Sequence, residues 1–151
     1  MQPTRISLGD VQRVRDQCLC LASQRAARAL ARRFDAVFRP LGLTSGQFSM
    51  LMALSGQWQP SLAQLAAFLA MDQATVTAAI RRLDRAGLVT LSGDPRDGRI
   101  RRPALTEPGH ALLAKALPVW QAEHDRLPPI PGLSGALAAL IAPEEPAFPP
   151  E

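Results

Sequence analysis

Between Asp72 and Arg85 the chain sets amide, hydroxyl and guanidinium donors among very small residues. If Val76, Ile80 and Leu83 turn inward on a helix, Ala74, Ala78, Arg81 and Arg85 turn outward, with Gln73, Thr77 and Arg82 on the flanks. Small side chains let a backbone come close to base edges, and Gln73, Thr77 and Arg81 offer hydrogen bonds to bases or phosphate oxygens. Ser61 and Thr75 complete this donor set. Taken alone, the pattern also fits an ordinary amphipathic helix with solvated arginines. A second cluster follows at Arg96, Arg99, Arg101 and Arg102, around the turn string Gly93-Asp94-Pro95-Arg96-Asp97-Gly98. An arginine at a hairpin tip can enter the narrow, electronegative minor groove of a duplex. The chemistry these residues suggest is recognition of double-stranded DNA.

Such donors need a scaffold, and the flanking pattern supplies one. From residue 11 to residue 41, Leu19, Ala22, Ala26, Leu30, Phe34, Val37 and Leu41 recur at three- and four-residue steps, which predicts a long first helix. A second stripe on it, Arg25, Arg28, Arg32, Asp35 and Arg39, reads most simply as a solvated face. Thr44 or Ser45 caps a second, short helix with Phe48, Leu51, Met52 and Leu54. Ser61 caps a third, whose inner face is Leu62, Leu65 and Leu69. After the break Ala70-Met71-Asp72, Asp72 caps the helix that carries the donors, and Gly87 ends it. Two short helices joined by a tight turn form a helix-turn-helix, whose second helix enters the major groove. The strings Leu88-Val89-Thr90-Leu91 and Arg99-Ile100-Arg101-Arg102 read as the two strands of a hairpin, a wing beside that helix. Thr106 caps another helix with the stripe Leu113, Leu117, Trp120, His124 and Leu127, which Pro118 should bend. A last short helix covers about residues 133–141, and the proline-rich residues 143–151 form a flexible tail. The fold class is mainly α with a small β-hairpin wing: a winged helix-turn-helix domain, at about residues 43–105, plus a helical dimerisation region.

Composition narrows the function classes. With 151 residues and 47% hydrophobic content the chain suits one globular domain. The net charge is +4, and all its cations but Lys115 are arginines, whose planar forks suit phosphate and guanine edges. No run reaches the ~20 apolar residues of a membrane span, and the polar start lacks a signal-peptide core, so a cytoplasmic address and no membrane partner are expected. Cys18 and Cys20, two apart on a helix, point away from each other, and His110 and His124 form no ligand spacing with them, so neither a disulfide scaffold nor a metal is expected. No phosphate-binding glycine loop, paired-histidine motif or nucleophile elbow occurs, and tyrosine is absent; no catalytic residue and no cofactor are assigned. The terminal helices carry apolar stripes that one small winged domain cannot cover, which predicts a homodimer. A winged-helix module that binds protein is the rival from another class.

Four strings, in order and at matching spacing, resemble the MarR (multiple antibiotic resistance regulator) family. They are Gly42-Leu43-Thr44 with Gln47-Phe48, Leu83-Asp84-Arg85-Ala86-Gly87-Leu88-Val89, Asp94-Pro95-Arg96-Asp97-Gly98-Arg99, and Leu105-Thr106-Glu107-Pro108-Gly109, within about residues 18–127. The resemblance implies a dimer joined through its first and last helices, a pseudo-palindromic operator, and a repressor released by a small aromatic or carboxylate ligand. It also implies that Asp97 and Arg99 pair to shape the wing and that Arg96 or Arg99 enters the minor groove. Gly98 departs from the arginine common at its place. A ligand pocket between the first helix, the second and the one begun at Thr106 would draw on Cys18, Arg28, Met52 and His110, the arginine favouring a carboxylate. Oxidation or persulfidation of Cys18 or Cys20 near the dimer interface is the alternative input.

Overall fold

A computed structural model describes residues 5–141. The expected tail at residues 143–151 lies outside them. The elements run α1 Leu8–Gln17, α2 Leu19–Phe38, a 3-10 turn Arg39–Leu41, α3 Ser45–Ala53, α4 Leu62–Phe68, α5 Gln73–Arg85, β1 Val89–Gly93, β2 Arg101–Leu105, α6 Glu107–His124 and α7 Leu133–Ala138. No single helix among them is long and apolar enough to cross a membrane.

The long first helix is in fact two. Cys18 is extended, with φ −73° and ψ 105°, so it ends α1 and caps α2, its sulfur accepting the Leu21 N–H. None of the residues of α1 is buried among the described residues. Along α2 the expected stripe is covered only at its C-terminal end, where Phe34, Val37 and Leu41 are half-buried and Leu19, Ala22, Ala26 and Leu30 stay exposed. Phe38, which the periodicity passes over, is the fully buried anchor.

The core lies where α2, α3, α4, α5, α6 and the start of β1 converge on Phe38, Leu51, Leu65, Val76, Ile80, Leu83, Val89, Leu113 and Ala116. An aromatic column links three of these helices: Phe38 stacks on Phe48 at 4.8 Å, and Phe48 faces Trp120 at 6.5 Å. Such pairs add about 0.5–1.5 kcal/mol each beyond area burial. A buried carboxylate, Glu123 of α6, receives Arg33 of α2 and Arg126, and the Arg33 bond holds its pKa below the usual glutamate value. On α6 the expected apolar stripe is also only partly covered, with Leu113 buried but Leu117 and His124 exposed. The helix continues through Pro118.

Two helix ends use the same hydrogen-bond pattern with different residues. At the end of α5, Gly87 (φ +75°) bonds to Asp84 O and Leu88 N to Leu83 O, the paired 6→1 and 5→2 bonds of a left-handed C-terminal cap. At the end of α4, Ala70 N bonds to Ala67 O and Met71 N to Ala66 O, but the left-handed position, φ 51°, is filled by alanine. A Cβ is disfavoured there, and glycine is not. Replacing Ala70 by glycine should therefore raise stability by about 0.5–1 kcal/mol, visible as a higher denaturation midpoint at unchanged m-value.

Candidate nucleic-acid interface

The donor helix α5 is positioned from both ends. Asp72 accepts the Thr75 N–H at 2.9 Å and the Thr75 hydroxyl, and these bonds lower the Asp72 pKa, so it remains a carboxylate facing the helix N-terminus. Val76, Ile80 and Leu83 are essentially inaccessible, at 0%, 0% and 1% exposure, which fixes the rotation of the helix. Gln73, Ala74, Ala78, Arg81, Arg82 and Arg85 are accordingly exposed, and Thr77 is half-buried at the margin. No ion pair between described residues engages Arg81 or Arg82. The axes of α4 and α5 turn through 111° at the break, within the range of a helix-turn-helix.

Two members of the donor set are engaged at helix N-termini. Ser61 is buried, and its hydroxyl accepts the Gln64 N–H at 3.1 Å while the Gln64 side chain accepts the Ser61 N–H at 2.9 Å. This is a reciprocal capping box, as is Thr44 with Gln47 on α3. Thr75 spends its hydroxyl on Asp72. Both are better described as holding α4 and α5 than as free donors.

The hairpin is antiparallel, pairing Val89 with Leu105 and Gly93 with Arg101. Its second strand starts two residues later than the sequence suggests, because a hydrogen-bonded turn takes up Arg99 and Ile100. Within it, Asp94 Oδ1 accepts Arg96 N at 2.8 Å and Asp97 N at 3.3 Å, Ile100 N bonds to Asp97 O, and Asp94 N bonds to Ile100 O. Arg99 forms a two-pronged pair with Asp97, at 3.1 and 3.2 Å, which lowers the Asp97 pKa. The Arg99 side chain is nonetheless 92% exposed. Arg96 is also exposed, and its guanidinium has no partner among the described residues. Asp94 and Arg102, absent from the candidate set, form a more sheltered pair at 2.6 Å, the first cause of the lowered Asp94 pKa. The signal was present in the sequence as an acid and an arginine on opposite sides of a turn, but their partnership depends on the strand register.

The four candidate ligand residues are not brought together. Arg28 lies on an exposed trough of α2 with Arg25 and Arg32, Met52 lines a cavity with Phe68, Leu69 and Leu117, Cys18 stands at the α1–α2 break, and His110 is exposed near the start of α6. A different cavity, of about 310 Å³, opens between α2, α3 and α6; Leu30, Phe34, Phe38, Phe48 and Trp120 line it, with no charged side chain.

The MarR family model matches residues 41–100, which hold the helix-turn-helix and the first strand and turn of the hairpin. The HTH-type transcriptional repressor NicR of Pseudomonas putida is 45% identical over 76 residues, and the match spans 50% of this chain and about half, 48%, of NicR. The HTH-type transcriptional repressor Rv2887 of Mycobacterium tuberculosis is 31% identical over 124 residues, covering 82% of this chain and 83% of the relative. Among solved structures, the M. tuberculosis transcriptional regulator MosR in complex with DNA superposes with a TM-score of 0.72 at 35% identity, over 82% of this chain and 93% of that one. The 111° helix pair, the hairpin that follows it and a likeness extending well beyond both lead to one statement: the chain belongs to the MarR family.

Proposed function

We propose that the chain is a homodimeric, sequence-specific DNA-binding transcription regulator acting as a repressor. The observation that carries this reading is the exposed face of α5, where Gln73, Ala74, Ala78, Arg81 and Arg82 stand free above a buried Val76-Ile80-Leu83 face, followed in the chain by an arginine-tipped hairpin. Small residues allow close approach, Gln73 and Arg81 supply base-edge donors, and Arg96 supplies the unpaired wing cation suited to the minor groove. Arg99 serves the wing first through its pairing with Asp97.

Dimerisation is supported by apolar surface that the chain leaves uncovered. Leu8, Val11 and Val14 of α1 are 89%, 45% and 58% exposed, and Leu133 and Leu137 of α7 are 42% and 47% exposed. An apolar trough between α2, the end of α6 and α7, lined by Leu30, Leu127, Ile130 and Leu133, is of matching character. A two-fold pair would set two α5 helices one DNA turn, about 34 Å, apart on a pseudo-palindrome.

The input has two readings. The uncharged, aromatic-lined cavity favours a neutral aromatic effector over a carboxylate. The helix break at Cys18, with Cys20 exposed beside it, favours a thiol-based input instead.

Three measurements test this reading. On a duplex from the chain's own upstream region, affinity should fall steeply with salt. Arg81→Ala should cost about 1–3 kcal/mol and relax sequence preference, whereas Arg96→Ala should weaken all sequences and reduce the salt slope by about 1. No binding at low salt would favour the protein-interaction rival. Light scattering should give a dimer mass at micromolar concentration and a monomer for the Val11→Asp/Val14→Asp variant; a monomeric wild type defeats the dimer. Finally, a neutral phenol should release DNA from wild type and Cys18→Ser/Cys20→Ser protein alike under the effector reading, while release by peroxide from the wild type alone selects the thiol reading.

A further inference from the structure

A two-stranded hairpin is marginal by itself in water, so the angle at which a wing presents its tip must be imposed from outside the ribbon. We propose that Arg102 is the positioning residue of this wing, clamping the hairpin turn to the entry of α4 and thereby setting where Arg96 and Arg99 stand relative to α5. The functional part of this inference rests on the DNA-binding reading above; the clamp itself does not.

Arg102 sits in β2 opposite Ser92. Its guanidinium reaches acceptors on three separate segments. Nε donates to Asp94 Oδ2 at 2.6 Å, and Nη1 donates to the Gln59 carbonyl at 2.8 Å and to Gln64 Oε1 at 3.4 Å. Each side-chain partner has a structural duty of its own. Asp94 shapes the turn through the Arg96 and Asp97 amides, and Gln64 closes the capping box that starts α4. A continuous polar path therefore runs from the turn bearing Arg96, through Asp94 and Arg102, to the first helix of the helix-turn-helix.

Shelter gives this path its stiffness. The Arg102 and Asp94 side chains are 30% and 11% exposed, against 92% and 37% for Arg99 and Asp97. Water competes less for the inner pair, and the weak net value of solvent-exposed pairs applies mainly to the outer one. The planar fork matters as much as the charge. A lysine ammonium is a single point on a flexible stem and cannot hold the turn carboxylate while also engaging Gln59 and Gln64 in the fixed directions of a guanidinium. With Nε and Nη1 engaged, only Nη2 of Arg102 is left for a phosphate, whereas the whole Arg96 guanidinium is unengaged among the described residues.

The decisive experiment is a double-mutant cycle, because a positioning role and a direct phosphate contact predict different sums. The variants are Arg102→Lys, Arg96→Ala/Arg99→Ala, and the triple combination, titrated against a duplex from the chain's own upstream region at fixed salt. Arg102→Lys should weaken binding by roughly tenfold even though the charge is kept. The triple variant should bind within about twofold of the tip variant, since arginines no longer present cannot be misplaced. Losses that multiply, or an Arg102→Lys protein that binds like the wild type, overturn the positioning role. A DNA-free arm judges the clamp separately. In Arg102→Met protein the amides of Asp94 and Ile100, bonded across the turn, should exchange at least about tenfold faster, while those of Val76 and Ile80 in α5 keep their protection. Unchanged exchange at the turn overturns the clamp. If the wild type binds no duplex at low salt, the regulator reading fails and the exchange result still decides whether Arg102 holds the hairpin.

Discussion

The carbonyl of Leu88 is the point on which the rest of the molecule is hung. It lies just past the left-handed cap that ends α5, directly before the first hairpin strand, and it accepts the N–H of Thr106, the residue that caps α6. The Thr106 hydroxyl donates to the neighbouring Gly87 carbonyl at 2.6 Å and accepts the Gly109 N–H at 3.1 Å, so one side chain closes one helix and opens another. Gly109 completes the junction by having no side chain: a Cβ there would stand 2.2 Å from the Leu88 oxygen. Backbone cannot yield as a flexible side chain can. The donor helix, the wing and the long helix leading to the apolar C-terminal region thus meet at a contact a few ångströms across, and none of them can tilt without straining the others.

This junction explains why the core can be small. The aromatic column of Phe38, Phe48 and Trp120 joins α2, α3 and α6, while Val76, Ile80 and Leu83 tie α5 into the same cluster. Beside that column the chain leaves the uncharged cavity between α2, α3 and α6. A group larger than this space would press on Phe48 and Trp120, whose packing fixes α3 against α6, and α6 begins at the Leu88 junction. Rigid, close-packed elements transmit such displacements. The cavity is thus connected to α5 through α6 without touching it.

Much of this was legible in the residues. The caps at Thr44, Ser61, Asp72 and Thr106, the buried face of α5 and the glycine at its end follow from short-range rules about orphan amide groups and helical period, and the structure keeps all of them. Local rules failed where the answer depended on a distant partner. The break at Cys18 is invisible to periodicity because Leu19 to Leu41 continues a plausible stripe, and the burial of Phe38 rather than Leu30 is decided by where α3 and α6 lie. The hairpin register slipped for a related reason: Asp94 and Asp97 draw nearby amides and guanidiniums into a turn longer than the glycine pair at residues 93 and 98 suggests. The candidate interface divides the same way. Exposed donors on α5 and the cap at Ser61 could be read from spacing, whereas the engagement of the Thr75 hydroxyl by Asp72 and the contacts of Arg102 with Asp94, Gln59 and Gln64 required coordinates. Arg28 and His110 are exposed on the single chain and line no common cavity with Cys18 and Met52 among the described residues.

The two kinds of surface left open on the single chain bear on each other. Its apolar faces lie on α1, α2 and α7, whereas α5 and the hairpin tip carry exposed arginines, Arg81, Arg82 and Arg96 among them. A lone recognition helix with one wing reaches few phosphates, so salt that screens any one of them takes away a large share of the affinity. Pairing two chains through the apolar faces doubles the phosphates reached without adding one residue, but only if the two α5 helices match the pitch of the duplex. The α6 helix then acquires its meaning: it runs from the Leu88 junction to the trough that includes Leu127, Ile130 and Leu133, so the surface that would fix the spacing of two copies is rigidly joined to the helix being spaced. In such an arrangement affinity would be governed less by any single arginine than by the geometry between two distant ones.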